Sequence, residues 1–211
     1  THDPTVSYFS EKLRTKIFSL EYSLSPEKKF PYATNEALTA INWLCERGVN
    51  INNISLCGDS AGAHLAASVT HTIANENRQN VHSQFLIYPM CDPNCKSNSI
   101  ELFKEGYLLT KKAMEWFWDK FRNSLADNDV NTFNLLLLEP EKKIPKTIIF
   151  NDGFDPLLDE AEKYAFLLHK NGTYVKQLHY PSLFHGFANM TRLKSAKKAV
   201  DDFLLEYKEI L

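Results

Sequence analysis

Three residues of this 211-residue chain could together move an acyl group: a serine, an aspartate and a histidine, far apart in sequence. Ser60 lies in Gly58-Asp59-Ser60-Ala61-Gly62, Asp155 in Gly153-Phe154-Asp155-Pro156-Leu157, and His185 in Phe184-His185-Gly186-Phe187. A hydroxyl becomes a nucleophile when an imidazole takes its proton, and a carboxylate then holds the imidazole tautomer and stabilises its charged form. Ser60, His185 and Asp155 are the expected nucleophile, base and orienting acid. Their order along the chain, Ser then Asp then His, is one of the recurring orders of such a triad. The Gly-x-Ser-x-Gly pentapeptide adds the mark of a strained strand-to-helix turn that lifts the serine above a sheet. Its flanking glycines are expected to leave room where a Cβ would clash. The N–H of Ala61 would then point at a developing oxyanion.

Each residue also has a structural reading. Asp155 before Pro156 would suit the cap of the following helix, and Asp152 and Asp159 compete with it for the acid role. His64 and His71 fall in the helix after the pentapeptide, where packing or surface roles are expected. His179 falls inside a strand and is expected to be structural. His185, on a glycine-flanked turn just past a strand, is the favoured base. Cys91-x-x-x-Cys95 has no second Cys/His pair at matching spacing, so buried or loop thiols are expected rather than a metal site.

The elements that must carry these residues alternate. A strand is expected at 15–22, then a helix at 32–47 with Ala33, Ala37, Ala40, Ile41 and Leu44 on one side. The run Asn53 to Cys57 reads as a strand and the Ala-rich stretch to about Asn75 as a helix. Gln84 to Pro89 is a continuous apolar run, the mark of a strand covered on both faces. Thr110 is placed to cap a helix holding Met114, Trp116, Phe117, Trp118 and Phe121. Clustered aromatics at that spacing usually pack a core; lining of an acyl pocket is the sharper alternative. Strands at 146–151 and 174–180 and helices at 157–170 and 191–211 complete the pattern. Strands alternating with helices imply parallel βαβ units. Active residues of open α/β sheets sit at the carboxyl ends of strands, which is where Ser60, Asp155 and His185 fall.

The totals narrow the function classes. Hydrophobic residues make up 44% and aromatics 12%, enough for a large core and against disorder. A net charge of −2 gives no electrostatic case for nucleic acid or an anionic membrane. No apolar run approaches the roughly 20 residues of a membrane span. Four cysteines are too few for a disulfide scaffold, and a cytoplasmic location is the default expectation. The expected organisation is one domain, 1–211, with a cap-like insertion at about 92–139.

The motifs resemble those of the hormone-sensitive-lipase-like carboxylesterases, a branch of the α/β-hydrolase fold. Glu21-Tyr22-Ser23-Leu24-Ser25-Pro26-Glu27 is similar to that family's D-Y-R-L-A-P-E segment, and Gly58-Asp59-Ser60-Ala61-Gly62 to its G-D-S-A-G. Tyr88-Pro89 with Asp92, Asp155-Pro156-Leu157-Leu158-Asp159-Glu160 and His185-Gly186-Phe187 match its later motifs. The resemblance implies a mostly parallel sheet with flanking helices, a helical cap insertion and a serine esterase of short acyl esters. It implies Ser60, Asp155 and His185 in the roles above, no cofactor and no metal. It also implies small-molecule ester substrates, and a homodimer through the last strand and helix.

Ala63 stands where the family usually has a second glycine, and Ser60 to Leu65 is also similar to the kynurenine formamidases. Amide or formamide hydrolysis therefore stays open, as does a catalytically impaired or dead binding protein on the same fold. Members carry H-G-G-G upstream of a segment like Thr1-His2-Asp3-Pro4, and no Gly-Gly pair occurs in this chain. The expectation is a fragment of a longer esterase, its N-terminal strands missing, its oxyanion site reduced to the Ala61 N–H and its turnover slow.

Overall fold

The computed structural model describes residues 2–76, 78–139 and 142–210. Thr1 of the Thr-His-Asp-Pro segment and Leu211 at the end of the expected last helix lie outside the described residues. Four strands, β1 (Ser55–Asp59), β2 (Ser83–Ile87), β3 (Lys146–Phe154) and β4 (Val175–Phe184), form one sheet in the order β1-β2-β3-β4. Every pairing is parallel. Parallel neighbours need crossovers, and helices supply them. The crossover from β1 to β2 is α3 (Ala61–Asn75), and that from β3 to β4 is α6 (Leu158–Lys170).

Alternation along the strands divides the core. On one face Phe85, Ile87, Ile148 and Phe150 pack against α1 (Asp3–Leu13) and α7 (Lys194–Ile210) through Phe9, Val200 and Phe203. On the other, Leu86 and Ile149 pack against α3 and α6 through Ala63, Ala67, Tyr164 and Leu168. Each large apolar side chain so buried contributes roughly 1.5–3 kcal/mol. β2 is buried along its whole length, as its unbroken apolar run requires. Its one amide, Gln84, is satisfied: Thr70 Oγ1 donates to its Oε1 at 3.0 Å, and its Nε2 donates to Thr147 Oγ1 at 2.9 Å.

Between β2 and β3 the chain leaves the sheet and builds a separate aromatic cluster. Two helices lie here, the short α4 (Asn98–Leu102), which the sequence reading did not anticipate, and α5 (Lys111–Phe121). The Thr110 side chain accepts the Ala113 N–H, the expected cap. Met114 and Trp118 are buried with Phe30, Ile100, Phe133 and Leu157, whereas Trp116 and Phe117 are about half exposed. Helix α2 (Tyr32–Glu46) lies on α3 through Ile41, Val69 and Ile73.

One expected strand is absent. Residues 15–24 are irregular, with Ile17, Phe18, Leu20 and Leu24 all exposed. A strand exists only where a neighbour completes its ladder, and among the described residues β1 is the edge of the sheet, with β2 its sole partner. What anchors the segment instead is Glu36 on α2, whose carboxylate accepts the Ser23 N–H at 2.7 Å and the Ser23 hydroxyl at 2.9 Å. Among the described residues no helix is long and apolar enough to cross a membrane.

Candidate active site

The sheet ends in a rim where four loops meet. At the end of β1 the backbone turns sharply into α3, and Ser60 takes φ 54° and ψ −115°, a conformation that L-residues seldom adopt. The Ser60 N–H donates to the Ile87 carbonyl at 2.9 Å, tying the turn to the end of β2. The two glycines of the pentapeptide differ in what they do. A Cβ on Gly58 would stand 2.2 Å from the Gly62 carbonyl carbon and oxygen and 2.7 Å from the Ala63 nitrogen, all backbone. A Cβ on Gly62 would meet nothing nearer than an Asp59 Oδ1 at 4.0 Å. The room expected from both glycines is required only at Gly58, because only there does the returning helix cross the strand.

The three side chains singled out in the sequence come together on this rim. His185 Nε2 lies 2.9 Å from Ser60 Oγ, and His185 Nδ1 lies 2.7 Å from Asp155 Oδ2. A carboxylate only accepts, so Nδ1 carries the proton and Nε2 is left to accept from the serine hydroxyl. The other carboxylate oxygen of Asp155 accepts the Leu157 N–H at 2.8 Å, which fixes the acid as well as capping the turn into α6. Asp155 is 1% exposed and His185 is buried at 8%, while Ser60 is reached from solvent. Gly186, at φ 85°, makes the turn that follows the histidine. The Ala61 N–H is the first of α3, where helix N–H groups lack intrahelical partners and the helix dipole favours negative charge.

Supporting groups surround this chain of contacts. The Tyr88 ring, just past β2, lies 4.5 Å from the imidazole of His185 and so limits its movement. Burial, with Asp59 and Asp152 nearby, pushes the Tyr88 phenol well above its ordinary range. Asp59, beside the nucleophile, accepts the Asn189 side-chain amide at 3.0 Å and lies 3.2 Å from His2. Nothing in the spacing of Tyr88 or Asn189 marks them in sequence, since both act through the fold alone. Tyr88-Pro89 belongs to a motif in the sequence, but the motif carries no sign of a contact with His185.

The competing residues lie elsewhere or act differently. Asp159 accepts the Ser99 N–H at 2.8 Å and so holds α4 to α6. Glu160 accepts the Cys91 and Asp92 N–H groups at 2.7 and 3.2 Å, tying α6 to the chain leaving β2. His64 and His71 are both buried on α3. His64 Nε2 meets the Phe133 carbonyl at 2.8 Å inside a box of Trp118, Phe121 and Phe133. His71 donates to the Asn131 carbonyl at 2.9 Å and faces the Tyr164 hydroxyl at 2.9 Å. Burial pulls both imidazoles down to about 4, so they are neutral anchors for the segment between β2 and β3. His179 is exposed on β4, and Cys91 and Cys95 are buried free thiols. Asp152 is buried, and neither of its carboxyl oxygens has a hydrogen-bond donor among the described residues.

Two hollows lie away from this rim. One, of about 360 Å³, is lined by residues including Lys29, Asp119 and Arg122, and the other lies along Tyr32 to Thr39. Neither is lined by a nucleophile beside a base, so neither competes with the rim as a catalytic site.

Comparison with known proteins agrees with the fold. A family profile described as alpha/beta hydrolase fold matches residues 1–189. The chain is 32% identical over 212 aligned positions to the carboxylic ester hydrolase LipN of Mycobacterium tuberculosis, covering 94% of this chain and 56% of that protein. It is 28% identical to the ethyl acetate hydrolase of Pseudomonas putida, covering 90% and 61% respectively. Among solved structures, the ester-hydrolase EH1AB1 from the metagenome of Lake Arreo, complexed with a bipyridine phosphonate derivative, superposes with a TM-score of 0.92 at 30% identity. That match covers 99% of this chain and 68% of the other. EstE1, a thermostable carboxylesterase from a metagenomic library, superposes with a TM-score of 0.92 at 27% identity, covering 100% and 74%. The chain spans a little over half the length of the curated relatives it matches.

Proposed function

The chain belongs to the alpha/beta hydrolase family, and we propose that it is a serine carboxylesterase acting on short-chain acyl esters through an acyl-Ser60 intermediate. The observation that carries this reading is the unbroken line from Ser60 Oγ through His185 to Asp155, at 2.9 and 2.7 Å. His185 Nε2 takes the Ser60 proton as Oγ attacks the ester carbonyl, and the imidazolium that forms is stabilised by Asp155. The carbonyl oxygen becomes an oxyanion facing the Ala61 N–H at the start of α3. His185 then returns its proton to the departing alkoxide, leaving Ser60 acylated. Water attacks the acyl-serine with the same imidazole as base, and Ser60 is freed.

The strained Ser60 backbone suits this role, because it holds the hydroxyl clear of the helix that follows. In the same reading residues 1–211 form one domain, and the 92–139 segment is a cap insertion held by its own buried aromatic cluster. Pairing of two copies through β4 and α7 belongs to the same proposal.

The test is a series of p-nitrophenyl esters of increasing acyl length. Release of p-nitrophenol should be fastest with the shortest chains and should fall on the order of 10⁶-fold in Ser60→Ala. Equal rates for Ser60→Ala and the parent would overturn the proposal.

A further inference from the structure

Asp152 ends the regular part of β3, three residues before Asp155, and stands opposite Tyr180 of β4 where the pairing register shifts. It is 1% exposed, and no N–H or O–H of another described residue reaches either of its carboxyl oxygens. A buried carboxylate without donors is costly. The ionisable group that acts on it is the neighbouring carboxyl of Asp155, three residues on. Two neighbouring carboxyl groups can hydrogen-bond to each other only if one of them holds a proton. The structure decides which. Asp155 receives the His185 Nδ1–H and the Leu157 N–H, both of which stabilise an anion, whereas Asp152 receives neither. Burial and the neighbouring Asp155 charge both push Asp152 well above the ordinary carboxylate range.

We propose that Asp152 is a positioning residue, held as a neutral carboxylic acid that donates its O–H to the Asp155 carboxylate. That bond fixes Asp155 from the side opposite the imidazole. It also draws off part of the charge that His185 would otherwise meet. The titratable groups around the pair are Tyr88 after β2, Asp59 at the end of β1, Tyr180 and His185 on the β4 side, and Glu160 on α6. The tyrosines are uncharged near neutral pH, and burial pushes Glu160 up as well, against the Cys91 and Asp92 N–H groups that it accepts. The functional meaning rests on the esterase reading above, but the protonation state does not.

Carbon-13 spectra of aspartate- and histidine-labelled protein test both parts. The Asp152 carboxyl should keep the shift of a carboxylic acid throughout the neutral range. Titration of this group near the ordinary aspartate pKa of about 4 would overturn the proposal. In Asp152→Ala the pKa of His185 should rise by about one unit, because Asp155 regains its full charge. In Asp152→Asn, whose amide can still donate, it should stay close to the parent value. A fall in both variants would mean that a negative charge had been removed, and no change in either would mean no coupling; each overturns the proposal. The acid limb of the kcat/KM profile should move with His185. If Asp152→Ala does not fold, the Asp152 carboxyl shift and the Asn variant still decide. Failure of Ser60 to acylate would count against the esterase reading alone and would leave these spectra unaffected.

Discussion

Gly58 shows how narrow the tolerance around Ser60 is. The backbone of Gly62 and Ala63 occupies the place of a Gly58 Cβ, and backbone cannot move aside as the tip of a flexible side chain can. Gly58→Ala should therefore lower the melting midpoint sharply or prevent folding. Gly62→Ala should leave it unchanged or raise it, because the space is open and alanine favours a helix by up to about 1 kcal/mol. Thermal denaturation of the two variants side by side checks this, and equal destabilisation would contradict it. Ser60, Asp155 and His185 could be picked out in the sequence because each follows an apolar strand and lies in a motif of small residues. Asp152 was visible only as a competitor for the acid role. Its relation to Asp155 depends on the register shift in β3, which no spacing rule reveals.

At the level of elements, α3 does more than carry Ser60. Its next turns bring His64 and His71 under the segment between β2 and β3, where both imidazoles hold backbone carbonyls. Burial lowers both pKa values from 6.5 to about 4. Between those values the unfolded chain binds protons that the folded one refuses, so this contribution is complete above pH 6.5 and is lost as pH falls toward 4. His64→Phe cannot titrate and suits a box of Trp118, Phe121 and Phe133. The gap in melting midpoint between the parent and His64→Phe should shift in favour of the variant as pH drops from 7 to 5. A gap independent of pH would contradict the buried neutral histidine. The helices and the apolar strands were legible from periodicity. The strand expected at 15–22 was not formed, because sequence pattern records a preference for extension and says nothing about whether a partner edge is there. α4 was missed because five residues span little more than one helical turn, too short for an apolar stripe to show.

Over the whole molecule, the parallel order β1-β2-β3-β4 delivers the ends of β1, β3 and β4 to one rim, and that is why three residues spread over more than a hundred positions can meet. β2 carries no triad member, yet Ile87 at its end holds the Ser60 N–H and Tyr88 beyond it braces the imidazole. The proposal that this rim is an acyl-transfer centre reduces to one property, that His185 makes the Ser60 hydroxyl unusually reactive. The direct measurement is treatment of the protein with a fluorophosphonate, digestion, and identification of the modified peptide by mass spectrometry. A single adduct on Ser60 is predicted, lost in Ser60→Ala and slowed on the order of a thousandfold or more in His185→Ala. An adduct elsewhere, or labelling of Ser60 undiminished without the imidazole, would contradict the account.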